Sequence, residues 1–321
     1  MQEIIKQIES HQTIILHGHT RPDGDCIGSQ YGLYHLLKAN YPQKNIYVTG
    51  QTSEYVSFLG CPELVLDDVF EGALCICLDC ATAERLSDQR YTKADYTIKI
   101  DHHIPIEDYG DYQYVDTTAP ACCQLIVELY LANQDRWVMP KEAAMALYVG
   151  ICTDTGRFKF DSVTAKTFEC AAVLMRFGVD LAYIDNQLST EDLNTLKLKG
   201  YVLSNFKMSE NGFAYICLTR DVVNGFGVSD EDAAAQVSTI STIEGCPVWA
   251  LFMEYPENEI RIRLRSRGPV INKLAEQYQG GGHGKAAGAK LENWDQLTGF
   301  VQKADELVCL YKDSLKKCKL Q

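Results

Sequence analysis

Three short apolar runs, each ending in Asp or His, constrain the fold of this chain more than any other feature. Residues 14–16 run into His17 and His19, residues 73–78 (ALCICL) into Asp79, and residues 96–100 into Asp101, His102 and His103. The runs at 14–16 and 73–78 are continuous in polarity and not alternating, and all three are read as strands covered on both faces. Helix-length segments separate them, with a helix expected over 27–39 and a further strand over 45–48. Strands joined by such crossovers lie parallel, and all their carboxyl ends then share one edge, where open α/β sheets bind ligands. The expected fold is therefore α/β, with an N-terminal parallel sheet whose polar termini collect along a single edge.

The first of these ends is the richest. In the loop 17–26, His19, Asp23 and Asp25 follow as H-x-x-x-D-x-D on a turn tightened by Pro22 and Gly24. An isolated D-x-D more often caps a helix or closes a turn than binds an ion. The rest of the chain weighs against that reading here. Helices are expected over 119–132 and 141–150, the second running into Asp154, another carboxylate against an apolar segment. Five of the seven histidines, His17, His19, His102, His103 and His283, fall in these loops or in a glycine-rich stretch further on. His19, Asp23, Asp25, Asp79, His102 or His103, and Asp154 together make an imidazole and carboxylate set suited to two borderline-hard divalent ions such as Mn²⁺. Cys77-Leu-Asp-Cys80 has no second C-x-x-C to complete a zinc site and reads as a strand end.

Composition narrows the partners. A chain of 321 residues with 46% hydrophobic content is long enough for two domains. Its net charge of −13 argues against a broad surface for long nucleic acid, so an anionic substrate needs metal or a local basic patch. No window approaches the roughly 18 consecutive apolar residues of a membrane span, and the first ten residues read as an amphipathic helix and not as a signal peptide. Thirteen cysteines, scattered through apolar segments, fit reduced thiols and a cytoplasmic location.

The second half supplies such a patch. Helices are expected over 163–177, 181–188 and 191–203, with 188–208 as a helical linker between a domain at 1–187 and a smaller α/β domain at 209–321. Strands are expected over 214–218 and 248–254. In residues 260–268, IRIRLRSRG, alternation puts Arg261, Arg263, Arg265 and Arg267 on one strand face. Guanidinium forks suit phosphate oxygens, and Arg265, Ser266 and Arg267 lead into a turn and a helix over 270–278. After that helix, Gly280, Gly281, Gly282 and His283 open a glycine-rich loop whose backbone N–H groups can approach an anion. A structural helix is expected over 294–315.

The segments HGHTRPDGDCIGS, CLDC, IDHH and GICTDTGRF, in this order, resemble the four motifs of the DHH phosphoesterases, and GGGHGKAAG is similar to the signature of their DHHA1 domain. The resemblance covers essentially the whole chain, and the compact length is most similar to the nanoRNase group. It implies that His19 and Asp23 hold one Mn²⁺, that Asp25, His102 and Asp154 hold a second, and that Asp79 bridges them, with Mg²⁺ or Co²⁺ as substitutes. It further implies that His103 faces the substrate phosphate while Arg265, Ser266, Arg267 and the 280–283 loop hold the nucleotide in a cleft closed by the second domain. Implied substrates are oligoribonucleotides of a few residues and 3′-phosphoadenosine 5′-phosphate, and the implied assembly is a homodimer. Residues 121–124, ACCQ, depart from the small hydroxyl residues and Glu of relatives, a difference expected to touch substrate detail and not the metals. The competing readings are a phosphodiesterase of linear or cyclic dinucleotides, a single-strand exonuclease, an inorganic pyrophosphatase and a non-catalytic nucleotide sensor.

Overall fold

The computed structural model describes residues 1–256 and 259–318, and forms two compact units, Met1–Thr190 and Glu191–Gln321. The first is built on a five-stranded, all-parallel sheet in the order β2-β1-β3-β4-β5. Its strands are β1 (Thr13–His17), β2 (Asn45–Thr49), β3 (Leu74–Leu78), β4 (Tyr96–Asp101) and β5 (Tyr112–Val115). Every residue of β3 is buried, as a strand covered on both faces requires. The three runs read from sequence are thus the three central strands. The fifth, β5, escapes that reading because its residues, YQYV, are only half-buried at the sheet edge and carry no apolar run.

Helices α1 (Gln2–Ser10), α2 (Gly24–Asn40), α3 (Cys122–Leu131), α4 (Lys141–Asp154), α5 (Ala165–Met175) and α6 (Leu181–Ser189) complete this unit. Helix α2 packs closely on α4. Gly28 lies so near α4 that a Cβ there would stand 2.7 Å from the Ala146 carbonyl oxygen, and one on Gly32 would stand 2.4 Å from the Leu147 side chain. Glycine at these positions lets the two backbones touch. Gly24 meets Thr153 in the same way, so the helices run antiparallel and the start of α2 lies beside the end of α4. That brings Asp25 next to Asp154.

The second unit carries a six-stranded mixed sheet, β10-β11-β9-β8-β7-β6. These strands are β6 (Lys207–Met208), β7 (Phe213–Leu218), β8 (Val248–Glu254), β9 (Ile260–Ser266), β10 (Gly281–Gly282) and β11 (Ala286–Leu291). Only β7 and β8 pair in parallel. Helix α7 (Leu193–Asn205) lies within the stretch expected as a linker, but its Leu198 and Val202 are fully buried with Ala214, Ile216 and Leu251, so it packs into this unit's core. Helices α8 (Arg220–Phe226), α9 (Asp230–Ala235), α10 (Asn272–Glu276) and α11 (Leu297–Cys318) follow, with Phe300, Ala304 and Val308 of α11 closing the other face of the sheet. Among the described residues no helix is long and apolar enough to cross a membrane.

Candidate active site

At the carboxyl edge of the first sheet, six side chains from the ends of β1, α2, β3, β4 and α4 converge. Asp23 caps α2, its Oδ1 accepting from the N–H groups of Asp25 and Cys26 at 3.0 Å each. Its other oxygen lies 3.9 Å from His19 Nε2. The His19 ring is turned by a hydrogen bond between Nδ1 and the Thr20 carbonyl at 2.9 Å, so Nε2 faces inward, 3.5 Å from Asp79 Oδ2. Asp79 follows β3 in a left-handed backbone conformation, φ 57°, which few non-glycine residues adopt outside functional turns.

His102, at the end of β4, is oriented in the same manner. Its Nδ1 bonds to the Ala119 carbonyl at 3.2 Å, and Nε2 lies 3.3, 3.4 and 3.7 Å from carboxylate oxygens of Asp79, Asp154 and Asp25. An imidazole that donates from one nitrogen to a backbone carbonyl and aims the other into carboxylates has the arrangement of a metal ligand. His103 differs. Its Nδ1 is engaged with Asp101 at 2.8 Å, and its ring is the more exposed of the two. The two adjacent histidines thus differ in exposure and in the partner of Nδ1, and both bring a ring nitrogen within 3.6 Å of Asp79 Oδ1.

Asp25 is held from the far side. Its oxygens accept from the N–H groups of Cys122 and Cys123 at 2.5 and 2.9 Å, at the amino end of α3. Residues 122 and 123 thus brace the cluster through backbone donors, which the side-chain departure at ACCQ leaves in place. His17, by contrast, is fully buried away from the cluster, with Nε2 3.2 Å from Cys75 Sγ and its ring edge-on to Phe70.

Burial and mutual repulsion set the charges of this cluster. Burial, reinforced by the charges of Asp79 and Asp154, pushes Asp25 well above the ordinary carboxylate range. Burial likewise lifts Asp154 to about 6, against the pull of His102. Burial also opposes ionisation of Asp79, but the facing imidazoles of His102 and His19 outweigh it and hold this carboxyl at about 2. Desolvation opposes the charge on His102, yet Asp79 and Asp25 keep it up at about 10. Four carboxylates thus crowd two imidazoles, and Asp79 Oδ1, fully buried, receives no hydrogen bond. An ion pair contact alone leaves that lone pair unserved, and a divalent cation would satisfy it while relieving the repulsion on Asp25. Ligand atoms of Asp25, His102 and Asp154, of Asp79, His102 and His103, and of His19, Cys26 and Asp79 each lie within 4.8 Å of one another. Cys77 and Cys80 enter no such group among the described residues.

In the second unit, β9 lies between β8 and β11, so its arginines stand on a sheet face and not along an edge. Arg261, Arg263 and Arg265 sit opposite Lys290, Gly288 and Ala286, and Gly281 continues the row beyond Gly288. Small residues there leave a shelf beside the guanidinium groups. Part of it is a cavity of about 530 Å³ lined by Tyr255, Arg261, Arg263, Gln279, Gly288 and Lys290. Arg261 is paired with Glu259 at 2.6 Å, whereas Arg265 is half-buried, donates to the Leu264 carbonyl at 3.0 Å and has no carboxylate partner among the described residues. The glycine stretch expected as an open nest is a short hairpin, with Gly281 opposite Gly288 and Gly282 opposite Ala287. His283 and Arg267 are exposed, and the Arg267 guanidinium lies 5.5 Å from the Trp249 ring. Ser266 faces away from the arginines, because alternate strand residues point to opposite faces. It is buried, donates to the Pro269 carbonyl at 2.6 Å and accepts from the Gly268 N–H, so its hydroxyl serves the turn and is not brought onto the arginine face.

A parallel α/β unit with His and Asp on its carboxyl edge, followed by a mixed-sheet unit with a basic, glycine-lined face, defines a two-domain hydrolase architecture. Residues 13–151 match the model of the DHH family, N-terminal domain, and residues 211–309 that of the DHHA1 domain; the chain belongs to the DHH family of phosphoesterases. It is 42% identical over 295 residues to the bifunctional oligoribonuclease and PAP phosphatase NrnA of Bacillus subtilis, spanning 92% of this chain and 94% of that one. The probable counterpart in Streptococcus mutans is 40% identical over 286 residues, 89% of this chain and 92% of its own. Among solved structures, an exopolyphosphatase-related protein from Bacteroides fragilis aligns with a TM-score of 0.83 at 27% identity over 96% of each chain.

Proposed function

We propose that this protein is a divalent-cation-dependent phosphoesterase that hydrolyses short oligoribonucleotides to mononucleotides and removes the 3′ phosphate of 3′-phosphoadenosine 5′-phosphate. The observation that carries this is the buried Asp79, with an unserved oxygen, set between His19 and His102. The names of the relatives supply the substrates.

In this reading His19 and Asp23 would hold one cation and Asp25, His102 and Asp154 another, with Asp79 available to either. The chemistry gained when cations are bound there is Lewis acidity toward water and toward the phosphoryl oxygens. The chain's own groups do the rest. Cys122 and Cys123 fix Asp25 through their N–H groups, and the carbonyls of Thr20 and Ala119 fix the ring planes of His19 and His102. Asp101 holds His103 by Nδ1, which leaves Nε2 for a phosphate oxygen. Arg265, Arg267, His283 and the Gly280–Gly282 backbone supply contacts to the nucleotide, with Ser266 as support of the turn. Mn²⁺ as the working ion accords with the oxygen and imidazole donors. A homodimer follows the family resemblance, and a cytoplasmic location accords with the twelve described cysteines, all free.

The test is incubation with Mn²⁺ and, in parallel, a 5′-phosphorylated diribonucleotide, an RNA of about 24 residues, 3′-phosphoadenosine 5′-phosphate, a cyclic dinucleotide and pyrophosphate. The reading expects rapid conversion of the diribonucleotide and the bisphosphate, with slow attack on the longer RNA. Preference for pyrophosphate or the long strand overturns the substrate assignment, and no hydrolysis of any compound overturns the enzyme.

A further inference from the structure

We propose that Lys99 is a positioning residue for His103, acting through Asp101, an inference that rests on the phosphoesterase reading above. Lys99 and Asp101 are alternate residues of β4 and share a face. Both are completely buried, and their charges stand 3.6 Å apart. Stability alone gives no reason for an ammonium in a core strand, because apolar residues of similar volume often serve a buried position as well as an ion pair does.

The contacts of Lys99 instead converge on the active-site loops. Its ammonium donates to the Ala81 carbonyl at 2.9 Å, two residues beyond Asp79, and reaches the Glu107 carbonyl at 3.5 Å, four residues beyond His103. It also lies 4.7 Å from the Tyr109 ring, whose hydroxyl donates to the Cys80 carbonyl at 2.7 Å. One charge therefore ties the loop after Asp79 to the loop after His103.

The carboxylate between them is divided in its duties. Asp101 Oδ1 accepts from His103 Nδ1 at 2.8 Å and from the N–H groups of His102 and His103 at 2.9 and 3.3 Å. Asp101 Oδ2 has no hydrogen-bond donor, and its nearby charge is Lys99. Without the ammonium, the two oxygens lose the difference that keeps one on His103, and the ring loses its fixed direction. Lys99 lies behind Asp101 and away from the ligand cluster, so its effect on the site runs through Asp101 to His103.

The experiment compares wild type, Lys99→Met, His103→Gln, the pair Lys99→Met with His103→Gln, and the pair Lys99→Met with Asp101→Asn. It reads kcat and KM on 3′-phosphoadenosine 5′-phosphate, thermal unfolding, and the ¹⁵N resonances of the His103 ring. The expected result is a roughly tenfold to hundredfold lower kcat for Lys99→Met, as for other groups that orient site residues, with KM within about twofold. In the His103→Gln background Lys99→Met should have no further effect, and the ring should show one Nδ1–H tautomer in wild type and a mixture in Lys99→Met. Full kcat in Lys99→Met, an equal loss in the His103→Gln background, or an Nε2–H tautomer in wild type overturns the proposal. If Lys99→Met does not fold, the Asp101→Asn pair, which removes both charges together, takes its place with the same expected loss. Failure of both to fold assigns Lys99 to stability alone and overturns the proposal as well. An inactive wild type refutes the parent reading instead, and the tautomer measurement then still decides the inference.

Discussion

The carboxyl edge of the first sheet and the arginine face of the second are both charged surfaces built on strands, but they are constructed oppositely. On the edge, Asp25 and Asp79 are 1% and 2% exposed, and each imidazole or carboxylate except Asp79 and Asp154 is braced by a hydrogen bond with a neighbouring backbone or side-chain group. On the face, Arg261 is about half exposed, and Arg265 has no carboxylate partner among the described residues. Buried, braced groups cannot adapt to what they bind, so they suit a ligand of fixed geometry such as a metal ion or a phosphoryl group in transition. Long, half-exposed guanidinium groups can adapt, which suits nucleotides of differing base and length. The proposed function takes the first region for chemistry and the second for recognition, and the contrast can be broken by substitutions that fail to separate kcat from KM.

The largest effect belongs to the edge. Asp79→Ala removes the carboxylate common to both halves of the cluster, and since loss of an orienting neighbour alone costs roughly 10–100-fold, kcat should fall beyond that range with the fold retained. Steady-state kinetics at saturating Mn²⁺ and circular dichroism check this; activity within tenfold of wild type would remove Asp79 from the centre. Next is the dependence of metal-linked stability on pH. In the metal-free protein burial raises Asp154 to about 6 and also pushes Asp25 well above the ordinary carboxylate range. Carboxyls raised in the folded state favour it while protonated and lose that contribution as pH rises through the folded value. Metal-free protein should therefore lose stability between about pH 4 and 7, while a bound cation removes the repulsion. The Tm gap between Mn²⁺-loaded and chelator-treated protein should widen from about pH 5 to about 7.5; a constant gap means the carboxylates do not meet the cation.

These tests also bear on how the sequence is read. The three central strands and the clustering of Asp and His at their ends are legible because apolar runs and terminal Asp or His are local signals. The bearing of Cys122 and Cys123 on the cluster is not legible, because their contribution is made by backbone N–H groups across 97 and 98 residues of chain. Lys99 escapes notice because a lysine inside an apolar run reads as a solvent-exposed interruption, and only tertiary packing shows it to be buried. His17 and Ser266 are drawn in by neighbours with the right chemistry, yet strand alternation turns each toward a core. Side-chain direction is hidden in the sequence, since one residue of register reverses it.

On the arginine face the effects should be smaller and of a different kind. Arg265→Ala should raise KM roughly tenfold, the worth of about one charge-assisted hydrogen bond, with kcat little changed. A fall in kcat at constant KM would mean that this face takes part in the chemical step, and the contrast between the two regions would fail.

Arg261→Ala sharpens the contrast within the face itself. Its guanidinium already bonds Glu259 through Nε at 2.7 Å and Nη2 at 2.6 Å, and Glu259 is shared with Lys290. A phosphate would have to displace that carboxylate, so the free arginine and the paired one should differ although they share one face of one strand. Exposed ion pairs contribute only about 0–1 kcal/mol, so stability should hardly change, and KM should rise no more than about threefold. If Arg261→Ala matched Arg265→Ala in KM, Glu259 would be the group that yields when substrate arrives, and Glu259→Gln should then lower KM by freeing both Arg261 and Lys290.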